Sequence, residues 1–75
     1  MLIRMRFFAV LRERAGRDRE SLEVPLGATA AEVYTSRFPD LPLRIGYARN
    51  GELCAGETVL VDGDELALLP PIGGG

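Results

Sequence analysis

Ile3, Met5 and Phe7 alternate with Arg4 and Arg6, the period of two that a strand with one buried face requires. From Phe8 to Ala15 the period changes. Phe8, Leu11 and Ala15 share a helical stripe, Arg12, Glu13 and Arg14 fall mostly off it, and Gly16 closes the segment. Alternation resumes through Leu22, Val24 and Leu26, and Pro25 points to a sheet edge or a strand end. With the break at residues 16–19, these two strands can pair antiparallel. Thr29-Ala30-Ala31-Glu32 has capping-box spacing, and Ala30, Val33, Tyr34, Arg37 and Phe38 keep the helical period until Pro39 ends it. A helix of about nine residues is marginal alone and must lean on a sheet.

Residues 44–49 read as a short strand, Asn50-Gly51 as a tight hairpin turn, and residues 52–55 as the return. A further apolar piece covers residues 58–61, and the Asp62-Gly63-Asp64 turn launches the final strand, Glu65 to Leu69. That strand is nearly continuously apolar, which suggests a central place in the sheet. The expected fold is therefore α+β, a mixed sheet of about five strands gripping one principal helix. No internal repeat is present.

Leu66-Ala67-Leu68-Leu69 passes directly into Pro70-Pro71-Ile72-Gly73-Gly74-Gly75, dividing the chain into a domain over 1–69 and an extended tail over 70–75. The prolines offer no ladder N–H and hold φ near that of an extended chain, so pairing stops there. The glycines carry no Cβ and leave a thin, adaptable backbone. Fully extended, the tail spans roughly 20 Å, enough to carry its carboxylate into a partner's pocket. That carboxylate is ionised at neutral pH and can act as a nucleophile toward an activated phosphate. The plain alternative is a frayed terminus in which glycine has no special role.

With 75 residues the chain makes one domain, and a domain of this size leaves little interior for a deep active site. That argues for a carrier or adaptor over a self-contained enzyme. The single cysteine, Cys54, excludes an internal disulfide, and the absence of histidine removes the commonest metal ligand and acid-base group. No intrinsic cofactor or metal is expected. Arg4 and Arg6 interrupt the opening apolar segment, so neither a membrane span nor a secretory leader is read, and the cytoplasm is the expected location. A net charge of -2 disfavours nonspecific nucleic-acid binding. All nine basic residues are arginine, and Arg4, Arg6, Arg12, Arg14, Arg17 and Arg19 fall in the first nineteen positions. They form either a separate basic patch or an ordinary solvated surface, depending on how the fold mixes them with the later acids.

The chain resembles the small, sulfur-carrying subunit of molybdopterin synthase, a β-grasp protein of ubiquitin-like fold. The resemblance spans essentially the whole chain. It rests on Phe7-Phe8-Ala9 followed by Arg12-Glu13 and Gly16, on Asn50-Gly51, on Asp62-Gly63-Asp64-Glu65, and on Pro70-Pro71-Ile72 before Gly74-Gly75. It implies that an ATP-dependent, E1-like activating enzyme adenylates Gly75, that a sulfur donor protein converts it to a thiocarboxylate, and that the tail then enters the large subunit of the synthase. There sulfur passes to a cyclic pyranopterin. By resemblance Gly75 bears the sulfur and Gly74 is the slim unit that threads the partners' channels. The ATP belongs to the activating partner. Gly73 makes a triple glycine, a feature shared with the related thiamine-pathway carrier, whereas the Phe7-Phe8-Ala9 opening and the Pro70-Pro71 pair favour the molybdopterin carrier. Related readings are a carrier for thiamine, cysteine or transfer-RNA thiolation, or a ubiquitin-like modifier conjugated through Gly75.

The remaining candidates are weaker. Cys54 suits a small, at least half-buried side chain between Leu53 and Ala55 better than a sulfur relay. Phe7 belongs to the core. Phe8 is either the foot of the short helix or part of a partner surface. Arg12 is either a solvated residue or a docking charge. Together with Pro70, Pro71, Ile72 and Gly73, Phe8 and Arg12 make up the expected partner interface.

Overall fold

The computed structural model describes residues 1–71. Its elements run β1 (Leu2–Phe7), α1 (Ala9–Ala15), β2 (Arg19–Glu23), α2 (Ala30–Arg37), β3 (Gly46–Arg49), β4 (Glu52–Cys54) and β5 (Glu65–Leu69). One five-stranded sheet has the order β2-β1-β5-β3-β4. β1 pairs antiparallel with β2 and parallel with β5, while β3 pairs antiparallel with both β5 and β4. This is the mixed β-grasp sheet expected from the sequence, with the apolar final strand at its centre. Among the described residues there are two helices, α1 being a short companion to the principal helix α2.

The alternation in β1 works as the sequence requires: Ile3, Met5 and Phe7 are at most 1% exposed. They meet Leu66 and Leu68 of β5, and the layer is closed by Ala30, Val33 and Tyr34 of α2 with Leu11 of α1. Phe38, just past α2, packs its ring edge-on to Phe7 at 5.5 Å between centroids. α2 starts at a complete capping box, with Thr29 Oγ1 accepting from the Glu32 N–H at 3.2 Å and Glu32 Oε1 accepting from the Thr29 N–H at 2.9 Å. The β3–β4 turn has positive φ at both Asn50 (50°) and Gly51 (85°), the requirement of a two-residue hairpin loop.

Two strand boundaries depart from the sequence reading. β2 stops at Glu23, and the Val24 N–H bonds the Met1 carbonyl instead. β3 begins at Gly46 rather than at residue 44. Residues 58–61 form no strand, only an isolated bridge between Thr29 and Val59. Their hydrogen bonds go to the loop before α2, through Ala30 N to Thr58 O and Leu60 N to Ala28 O. Leu60 alone of this apolar piece is buried.

Candidate functional site

β5 is flanked on both edges by paired strands, and Leu66 and Leu68 are fully buried. Pairing ends where Pro70 removes the next N–H, and Pro71 is exposed. The start of the predicted tail therefore springs from the most firmly held strand of the sheet. Ile72, Gly73, Gly74 and Gly75 lie outside the described residues, as does the expectation of a flexible end.

β1 and β5 run parallel with Phe7 in register with Leu68, so Phe8 and Leu69 leave the sheet at the same end. Phe8 has extended backbone and stands partly in solvent, with the Arg6 guanidinium 5.2 Å from its ring centre. Ala9 next turns the chain with φ of 49°, a left-handed conformation that costs a non-glycine residue on the order of 1 kcal/mol. This turn buries Phe7 and leaves its neighbour outside. α1 follows immediately, with Arg12 exposed on it and Gly16 closing it in the left-handed region. Phe8, Pro70 and Pro71 thus share one end of the sheet with the start of α1. Among the described residues, no side-chain hydrogen bond or ion pair joins Arg12 to them.

The sheet face away from α2 is uncovered. Register places Arg19, Arg6, Ala67, Ala48 and Leu53 side by side across all five strands. Leu53 is 82% exposed. This row is basic on β2 and β1 and apolar on β5, β3 and β4, and it reaches the tail through Leu69. Sequence reasoning picked out Phe8 but missed Ala48, Leu53 and Ala67, because which strands neighbour one another is fixed only by the folded sheet. Leu53, an exposed leucine in a three-residue strand, was the one available signal.

Cys54 lies on edge strand β4 opposite Tyr47 and is half-buried, the packing role expected of it. Burial pushes the Tyr47 phenol up from its ordinary range, with smaller contributions from Tyr34 and Cys54. Among the described residues, no group of His, Cys, Asp and Glu side chains could hold a metal ion, and no helix is long and apolar enough to cross a membrane.

Comparison with known proteins matches residues 5–75 to the family model described as the ThiS family. Small archaeal modifier protein 1 of Haloferax volcanii is 29% identical over 100% of both chains, with a TM-score of 0.80. A protein named as molybdopterin converting factor, subunit 1, from Pyrococcus furiosus is 24% identical over 96% of this chain and 99% of its own, with a TM-score of 0.78. A chain from the complex of subunits 1 and 2 of the molybdopterin-converting factor of Helicobacter pylori is 24% identical over 100% of both, with a TM-score of 0.63. The last two likenesses bear on the fold alone.

Proposed function

The chain belongs to the ThiS family, and from that premise we propose that it is a sulfur carrier working through its carboxyl terminus, Gly75. Carried over from the resemblance, the Gly75 carboxylate oxygen attacks the α-phosphorus of ATP held by an activating enzyme, and pyrophosphate leaves. Hydrosulfide delivered by a sulfur donor then attacks the acyl carbon, AMP departs with the electron pair of the acyl–oxygen bond, the sulfur loses its proton, and the terminus becomes a thiocarboxylate. The acceptor proposed is the cyclic pyranopterin in the large subunit of molybdopterin synthase. The observation that carries this reading is the placement of β5. A buried central strand runs straight into two prolines, so the domain serves as a rigid handle for a terminus that others act upon. Phosphate chemistry and the acceptor site belong to partners in this scheme. Gly74 and Gly73 keep the backbone slim where it must thread, and Phe8, Pro70, Pro71 and the open sheet face meet the partner.

A second reading is a ubiquitin-like modifier joined through Gly75 to a partner amine. The 29% identity over the full length of small archaeal modifier protein 1 favours it. The two readings share activation and differ in product. Intact-protein mass after incubation with cell extract, ATP and a sulfur donor tests both. Replacement of one oxygen by sulfur at Gly75, absent from a chain lacking Gly74 and Gly75, is the expected result. An amide-linked conjugate without a free thiocarboxylate would select the modifier. No change at all, beside a control carrier modified in the same extract, would overturn both.

A further inference from the structure

Arg6 of β1 and Arg19 of β2 are directly opposite each other in the antiparallel register, on the uncovered face of the sheet. Arg4 stands two residues before Arg6 on the same face, and with Arg17, Ser21, Glu20 and Glu65 these side chains line one open groove in which four arginines outnumber two carboxylates; Glu65 lies in register with Arg4, and Glu20 is held by Arg37. Like charges opposed across a strand pair destabilise it. Among the described residues, neither Arg6 nor Arg19 has a carboxylate within ion-pairing distance. Arg4 donates only to the Gly63 carbonyl, at 3.2 Å. Arg6 is partly offset by the Phe8 ring, and Arg19 by nothing. Arginine on the other side of the sheet behaves differently, for Arg37 holds Glu20 through two bonds of 2.6 and 3.1 Å. The fold gains nothing from the Arg6–Arg19 pair, which leaves both guanidiniums open to carboxylates from outside the domain.

The geometry points to a docking face for an extended acidic segment of a partner protein, formed by Arg4, Arg6 and Arg19. This rests on the carrier reading, since the partner is the one that receives the tail. Side chains at positions i and i+2 of a strand lie roughly 7 Å apart on one face. Arg4 and Arg6 therefore match carboxylates at alternate positions of an extended segment, and Arg19 widens the contact by one strand. Arg6 is in register with Ala67, two residues before Leu69, so the charges sit beside the exit of the tail. A long polyanion such as single-stranded nucleic acid fits less well, because the basic area is confined to two strands of a chain whose net charge is -2.

The test is an NMR titration of the full chain with a short capped peptide carrying aspartate at alternate positions. Its asparagine counterpart, inorganic phosphate and a short single-stranded oligonucleotide serve as competitors. Expected are shifts confined to residues 4–6 and 19–21, affinity falling with salt, and about five- to thirtyfold weaker binding in the Arg6→Gln/Arg19→Gln double variant. An Arg44→Gln variant, exposed but outside this groove, should bind as the parent does. The proposal is overturned by equal binding of the asparagine peptide, by phosphate or oligonucleotide binding as tightly, or by an unaffected double variant. Because the titration needs no ATP and no sulfur, its failure leaves sulfur loading at Gly75 intact, and failed loading leaves the peptide contact intact.

Discussion

The two faces of the sheet are built from the same strands yet obey different rules. On the face covered by α2, Ile3, Met5, Phe7, Leu66 and Leu68 exclude water almost completely, and the charge that reaches this side, Glu20, is taken up by Arg37. The Arg37 guanidinium also lies 5.5 Å from the Phe7 ring centre and 4.9 Å from that of Phe38, so one side chain finishes both the ion pair and the core edge. On the open face, two arginines oppose each other and Leu53 faces solvent. The covered face is explained by stability alone. The exposed arginines and Leu53 of the open face add nothing to the core, and it is there that the partner contact is proposed.

The contrast breaks first if the covered face does not carry the stability. Leu68→Ala removes a fully buried side chain from the central strand and should cost about 2 to 5 kcal/mol through lost burial and the cavity left behind. Denaturant unfolding measures it. A loss below about 0.5 kcal/mol would mean that the strand feeding the tail is not the anchor described here.

How much of this was readable beforehand follows from the range of each interaction. The Thr29–Glu32 capping box, the Asn50-Gly51 turn and the Gly16 helix end are local, formed by residues within a few positions of one another, and the sequence states them outright. The central place of β5 was legible because its nearly unbroken apolar run suits a strand paired on both edges, as it is between β1 and β3. The Thr58 to Val61 piece shows the limit. Its apolar run resembles a strand, but Val59 and Val61 are 55% and 53% exposed, and its backbone is satisfied by the loop before α2. Of the proposed site, the tail and Phe8 are candidates that the chain alone suggests. The Arg6–Arg19 opposition could not, because it depends on the register of two strands joined through a helix. The arginine-rich start was visible, and only the fold shows which four of those arginines share a groove.

Charge on the well-satisfied side of the molecule gives a second, smaller test. Asp64, 4% exposed, accepts from Val61 N at 2.8 Å, Arg49 Nε at 2.9 Å and Asn50 Nδ2 at 3.0 Å, tying the β3–β4 hairpin to the start of β5. Burial alone would raise its carboxyl, but these three donors together hold it below the ordinary value of 3.8. Glu20 is held below its ordinary 4.5 by the hydrogen-bonded Arg37, against a smaller opposing effect of burial. Both groups bind protons more tightly in the unfolded chain, so their stabilisation is complete above those ordinary values and is lost as pH falls through the lower folded ones. Asp64→Ala should cost about 1 to 3 kcal/mol at neutral pH by leaving its donors unpartnered. Asp64→Asn should flatten the acid limb of stability plotted against pH. An unchanged acid limb would remove Asp64 from the account.

The finest test reverses one charge on the open face. Arg19→Glu turns the opposition with Arg6 into an attraction and should raise stability by roughly 0.5 to 1 kcal/mol, the scale of a cross-strand charge pair. The gain should shrink in high salt, since both side chains reach solvent. A comparable charge reversal at Arg37 would strand Glu20 and must destabilise, so the two arginines answer with opposite signs although each neighbours β1 or its partner strand. If Arg19→Glu instead destabilises, the open face is held by interactions of its own, and the arginines there need no partner to explain them. If it stabilises, the native sequence keeps a less stable pair of cations where a more stable pair is one substitution away, the expected mark of a surface shaped by what it must bind.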